Sequence, residues 1–168
     1  LVSAGCEKLL YIDFNDPHRA RSSWMERWYG FDEYCGNIPA RRVVMDIRSH
    51  ETLDMKMSQE NKVLETLRGV FAERDFYDGI FFACDSLTAM IYPLLRRIGI
   101  NIGEDVKVIS CNNERSILAG LDPMPVSIDL HPEEIGEKAV EQLKWRLENQ
   151  YDKNKVIVEI EPEIIESL

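Results

Sequence analysis

The chain lacks most signatures of catalytic machinery. No GxxxxGK[ST] phosphate loop is present, and no GxGxxG follows a strand-like run, which argues against nucleotide hydrolysis and a dinucleotide site. No GxSxG nucleophile elbow occurs. Three histidines, His18, His50 and His131, stand far apart without metal-ligand spacing. The four cysteines, Cys6, Cys35, Cys84 and Cys111, form no CxxC pair, and their wide spacing favours free thiols in a reducing compartment over a disulfide framework. No apolar run is long enough to span a bilayer. Positive charge is scarce: 20 Lys and Arg face 30 Asp and Glu, a formal net charge of -10. Such a surface is repelled by phosphate backbones, so this piece alone should not grip nucleic acid, and it has little to offer an anionic membrane. No enzyme activity, cofactor or metal is expected. The first residues, Leu1 to Cys6, include neither an initiator Met nor an intact signal peptide and read as a cut into a longer protein.

What is present is a repeating order of apolar runs and amphipathic stretches. The 168 residues suit one compact domain, or one lobe plus part of another. Lys8 to Phe14 is a β-rich run broken by Asn15-Asp16-Pro17. Trp24, Trp28 and Phe31 follow on roughly helical spacing, up to Gly36. Arg42 to Ile47 is a second strand candidate. Ser58 is expected to cap a helix carrying Val63, Leu64, Leu67, Val70 and Phe71. Gly79 to Ala83 is apolar without alternation, as in a parallel strand buried on both faces. A helix capped by Asp85 or Ser86 then carries Leu87, Met90, Ile91, Leu94, Leu95 and Ile98 on one stripe, with Pro93 inside it and Gly99 at its end. Val106 to Ser110 and Val126 to Leu130 are further strands. Pro132 opens a helix to about Asn149, with Ile135, Ala139, Leu143 and Leu147 as its buried stripe. Tyr151 to Asn154 is a turn, and Lys155 to Glu159 is expected to be the last strand. Strand and helix alternate throughout, so the fold class is α/β, a parallel-sheet three-layer sandwich.

In open parallel sheets, ligands bind outside the carboxyl ends of the strands. Here those ends carry Asp13 to Asp16, Ile47-Arg48-Ser49, Cys84-Asp85-Ser86 and Ser110 to Asn113. Carboxylates, amides and hydroxyls of this kind hydrogen-bond polar, hydroxylated ligands. Pattern alone gives Asp85 equal standing as helix cap and ligand contact, and places Ser86 as a cap. It slightly favours Asn112 as a contact. Asp13 and Asn15 read as turn residues, Arg27 as a solvated charge, Trp24 and Trp28 as core, His131 as a loop residue before a helix, and Cys84 as a buried inert thiol.

Several segments together resemble the LacI/GalR family of transcriptional regulators. Gly79 to Asp85 resembles that family's "aiFaaND" strand end, and Arg97 to Ile109 is similar to "GlrVPeDvsVig", with Gly103 in place of the usual Pro. Arg27-Trp28-Tyr29-Gly30-Phe31 resembles "RxxGF". Val126-Ser127-Ile128 followed by Pro132 to Ala139 is similar to "ttv…p..elGr.Av", and Pro162 to Ser167 to "peLveRxS" without its Arg. The resemblance covers nearly the whole chain, in the family's order.

It implies a type I periplasmic-binding-protein-like fold of two lobes with effector in the cleft. Residues 1–130 and 155–168 would belong mainly to the C-terminal lobe, and the helix within 131–150 to the N-terminal lobe. The DNA-binding domain and most of the N-terminal lobe would lie outside this chain. The implied effector contacts are Arg27, Asp85 and Asn112, with Ser23 and Cys84 beside them. Cys84 stands where the family has Asn, and Asn112 stands where it has an acceptor-only Asp. The implied partners are a small polar effector such as a sugar or derivative, a second copy of the chain in a homodimer, and an operator DNA bound through the missing N-terminal part, all in the cytoplasm. Ile91, Tyr92 and Leu118 are the implied dimer candidates. A sugar-binding protein of a transport system shares the fold and is the main rival. A doubly wound enzyme is a distant third.

Overall fold

The computed structural model describes residues 1–14, 23–45, 53–72 and 77–166, with the backbone alone at 23–24 and 53–58. In chain order the elements are β1 (Leu9–Phe14), α1 (Ser23–Cys35), β2 (Ala40–Met45), α2 (Leu53–Phe71), β3 (Gly79–Phe82), α3 (Asp85–Arg97), β4 (Lys107–Cys111), α4 (Arg115–Leu118), β5 (Val126–Asp129), α5 (Pro132–Glu148) and β6 (Glu163–Ile165). They build one six-stranded sheet in the order β2-β1-β3-β4-β5-β6. The first five strands run parallel, and β6 is antiparallel to β5, with Ile128 opposite Ile164. The α/β three-layer class expected from the alternation is therefore present, with one antiparallel edge.

The apolar runs explain the layers. Leu10, Ile12, Ile80 and Phe82 are fully buried and sit beside one another by register. Val63, Leu67, Ile91 and Leu95 from α2 and α3 join them in one core. On the alternate positions, Tyr11 stacks on Phe81 at 5.3 Å, and Trp28 and Phe31 of α1 close over them. Such aromatic pairs add about 0.5–1.5 kcal/mol each beyond the area they bury. Trp28 is thus half-buried and packed against the core. Strand β1 is followed in sequence by β2 on one side and adjoined by β3 on the other, so the crevice where the chain order reverses lies between β1 and β3.

Several expectations are corrected. Ser58 lies inside α2, which begins at Leu53, and does not cap it. Residue Cys84, in extended backbone, occupies the cap position of α3, and neither Asp85 nor Ser86 caps that helix. Asp13 is a strand residue, not a turn residue: it is 1% exposed and ion-paired to Arg42 of β2 at 2.6 Å. Lys155 to Glu159 forms no strand, because none of the described strands pairs with it, and Val156, Ile157 and Val158 are exposed. The last strand is Glu163–Ile165. The stripe of α5 is not buried: the helix buries no residue, and Ile135, Leu143 and Leu147 lie open. Ile91, Tyr92 and Leu118 are interior residues and unfit as surface contacts. Asn15, Asp16, His18, His50 and the Ile47-Arg48-Ser49 strand end lie outside the described residues.

The contrast along α3 is measurable. Ile91 is fully buried, while its neighbour Met90 is 45% exposed. Ile91→Ala should cost about 2–5 kcal/mol of unfolding free energy, and Met90→Ala less than about 1 kcal/mol. Urea denaturation of both variants checks the assignment; equal losses would contradict it.

Candidate functional site

The parallel sheet carries the ends of β1, β3 and β4 to the same edge, and α1 starts at that edge too. Arg27, one turn into α1, is half-buried there. Its guanidinium donates to the Ala83 carbonyl at the end of β3 through Nη1, and to Asn112 Oδ1 beyond β4 at 3.3 Å through Nη2. It is therefore no freely solvated charge: it bridges two strand ends. Asn112 in turn donates from Nδ2 to Glu114 Oε1 at 3.2 Å. Arg27 and Asn112 are 85 residues apart in sequence and meet at this rim.

Asp85 lies just beneath and is completely buried. Its Oδ1 accepts from Ser110 Oγ and from Ser127 Oγ at 3.0 Å, and its Oδ2 accepts the Glu114 backbone N–H at 2.6 Å. Thr88 Oγ1 lies 2.7 Å from Ser110 Oγ and donates to the Cys84 carbonyl at 3.1 Å. A buried carboxylate is tolerated only when its lone pairs are satisfied in this way. Cys84 is 2% exposed, and its Sγ lies 3.2 Å from Ser86 Oγ. Ser23 opens α1, and its side chain lies outside the described residues. The structure thus brings Arg27, Asn112, Asp85 and Cys84 to one edge.

Beside Asn112 an open hollow of about 560 Å³ is lined by Asn113, Asp129, His131, Glu133 and Glu137 among others. Asn113 Nδ2 donates to Asp129 Oδ2 at 2.8 Å, and the His131 N–H donates to Asp129 Oδ1 at 2.8 Å. These bonds hold the Asp129 carboxyl below its usual range. His131 sits in the left-handed region immediately before α5, as a loop residue at a helix start. Among the described residues, no three His, Cys, Asp or Glu side chains converge on a metal-sized point. None of the described helices is long and apolar enough to cross a membrane.

The sequence places Ser110 at a polar strand end but gives no role to Ser127 or Thr88. Ser110, Ser127 and Thr88 are fully or almost fully buried hydroxyls. The available signal was a lone hydroxyl in each of two apolar strands, Val108-Ile109-Ser110 and Val126-Ser127-Ile128. A hydroxyl facing a core needs a polar partner. The Asp13–Arg42 pair had a similar signal, a charge inside a β-rich run.

All four cysteines are free and buried. Burial pushes the thiols of Cys6, Cys35 and Cys84 up, and that of Cys111 up to about 11. For Cys84 and Cys111, the Arg27 charge opposes this rise without cancelling it. A protonated, buried thiol is a poor nucleophile.

Residues 1–166 match the family of periplasmic binding protein-like domains, and the chain belongs to that family. Among solved structures, a probable maltose operon transcriptional repressor from Staphylococcus aureus superposes with a TM-score of 0.74 at 18% identity, covering 99% of this chain and 54% of that one. A LacI family transcriptional regulator from Enterococcus faecium, with bound ribose, gives 0.73 at 17% identity, over 99% and 57%. A periplasmic binding protein/LacI transcriptional regulator from Alkaliphilus metalliredigens, complexed with D-xylulofuranose, gives 0.66 at 21% identity, over 98% and 57%. These likenesses show the fold, and the chain spans about half the length of each of these proteins. Among curated proteins, none is similar in sequence.

The thiol chemistry predicts an alkaline weakness. Above pH 9 an unfolded chain releases the Cys111 proton, whereas the folded chain retains it to about 11. Stability therefore falls as pH rises from 9 to 11, by at most about 2–3 kcal/mol from this group. Cys111→Ala should flatten the loss of melting temperature across that window, and iodoacetamide at pH 8 should label Cys111 only after denaturation. Rapid labelling of native protein would contradict the assignment.

Proposed function

We propose that this chain is the ligand-sensing region of a LacI-type transcriptional regulator, binding a small polar effector, a sugar or a derivative, without chemical turnover. The observation that carries the reading is the Arg27 guanidinium spanning from Ala83 to Asn112 across the strand ends, next to the crevice where the strand order reverses. A planar fork of N–H donors beside an amide that both donates and accepts suits vicinal hydroxyls. Arg27 and Asn112 are the proposed contacts. Ser23 and Cys84 stand beside them, and Asp85 belongs to the site from below.

The open stripe of α5 supports a division of the chain between two lobes. Residues 1–130 and 155–168 form most of one lobe, and the helix within 131–150 serves the other, whose remaining parts and DNA-binding segment lie outside this chain. The apolar residues of α5 and of Val156 to Val158 then find their cover in that second lobe. Effector that binds one arrangement of the lobes better shifts the population toward it and changes affinity for an operator. In this reading the complete regulator is a cytoplasmic homodimer.

A thermal-shift screen of the full-length protein with D-ribose, D-xylulose and other sugars tests the proposal, because a true effector raises the melting temperature with its concentration. Arg27→Ala and Asn112→Ala should each weaken binding about ten- to hundredfold, the loss of a hydrogen bond to a charged or buried group being about 1.5–3 kcal/mol. A shift that survives both changes would place the effector elsewhere.

A further inference from the structure

We propose that Asp85 is a positioning residue that sets the backbone of Asn112 and Asn113, and so aims the Asn112 amide at Arg27. Its consequence for sensing rests on the reading of this rim as the effector site; its geometry does not.

The loop after β4 adopts a conformation that its residues do not favour. Asn112 has φ of 113° and Asn113 of 55°, both in the left-handed region. Asparagine is tolerated there better than most L-residues, but two in succession need outside support. That support is three consecutive anchored N–H groups. Asn112 N–H donates to the Ile128 carbonyl at 2.8 Å, Asn113 N–H to Ser127 Oγ at 3.0 Å, and Glu114 N–H to Asp85 Oδ2 at 2.6 Å.

Asp85 controls two of the three. It accepts the Glu114 N–H directly. It also takes the single hydroxyl hydrogen of Ser127 on Oδ1, which leaves the Ser127 lone pairs for Asn113 N–H. Ser110 gives its only hydroxyl hydrogen to the same Oδ1, and its oxygen lies 2.7 Å from Thr88 Oγ1. Every group facing Asp85 is thus a donor. A carboxylate meets three donors at one point; an amide of the same shape offers one acceptor oxygen and turns an NH2 toward the rest. The shape is preserved and the pattern of acceptors is lost. With Asn112 N–H and its side chain on the same residue, any relaxation of φ there swings the amide away from Arg27.

The test uses full-length protein labelled with 15N-asparagine, without any sugar, so that it stands apart from the effector screen. A residue with positive φ gives an unusually strong contact between its own amide and α protons in 15N-edited NOE spectra. Asn112 and Asn113 should show this in the unmodified protein, with assignments from Asn112→Asp and Asn113→Asp. In Asp85→Asn both signals should fall to the level of the other asparagines. The Asn112 side-chain amide should move to where Arg27→Ala places it. Ser86→Ala, next to Asp85 but outside the hydrogen-bonded group, should leave both unmoved. Should Asp85→Asn fail to fold, Ser127→Ala decides, since it deletes one acceptor of one loop amide and should weaken the Asn113 signal alone. A folded Asp85→Asn protein, or failing that a folded Ser127→Ala protein, with unchanged asparagine signals overturns the proposal. Failure of the effector reading shows separately, as no thermal shift in the unmodified protein.

Discussion

The rim of the sheet depends on one buried carboxylate. Asp85 gathers Ser110 of β4, Ser127 of β5 and the backbone of Glu114 around the start of α3. Three consecutive strand ends are thereby held by a single side chain with no water-exposed surface. Removing one acceptor from such a group leaves donors unsatisfied in a region of low dielectric, where each costs about 1–3 kcal/mol. The knot lies below the surface, beneath the half-buried Arg27 and Asn112.

Above this floor the polar groups come from distant parts of the chain. Strand order brings β1 between β2 and β3, and α1 folds back over Tyr11 and Phe81 through Trp28 and Phe31. That packing fixes the direction in which the first turns of α1 point. Arg27 then reaches the carbonyl of Ala83 and the amide of Asn112. A core built from aromatic faces and a rim built from hydrogen bonds therefore share one helix. Disturbing the aromatic cluster should be felt at the rim, because α1 carries both.

Much of the fold could be read in the residues. The apolar runs Leu9 to Ile12 and Gly79 to Phe82 lie in the centre of the sheet, and their lack of alternation reports burial on both faces. Elements that need a partner were harder. Val156-Ile157-Val158 has strand chemistry, yet a strand exists only beside another strand, and none of the described ones adjoins it. The short β6 is invisible from its three residues because its identity comes from Ser127 to Asp129 across the ladder. The α5 stripe is apolar as expected, and among the described residues nothing covers it. At the site, Arg27 and Asn112 lie too far apart in sequence for spacing to join them, and only the resemblance to LacI/GalR regulators placed them together. Ser110 reads from sequence only as part of a polar strand end and Ser127 as an ordinary strand residue, although a hydroxyl within a buried run already announces a polar partner.

The most direct measurement is a crystal structure of the full-length protein soaked with the sugar that most raises its melting temperature. The account predicts ligand density at the ends of β1, β3 and β4, with hydroxyls within hydrogen-bonding distance of the Arg27 guanidinium and the Asn112 amide and with the Asp85 group unchanged beneath. Density at any other place, with Arg27 and Asn112 facing only protein and solvent, would contradict it.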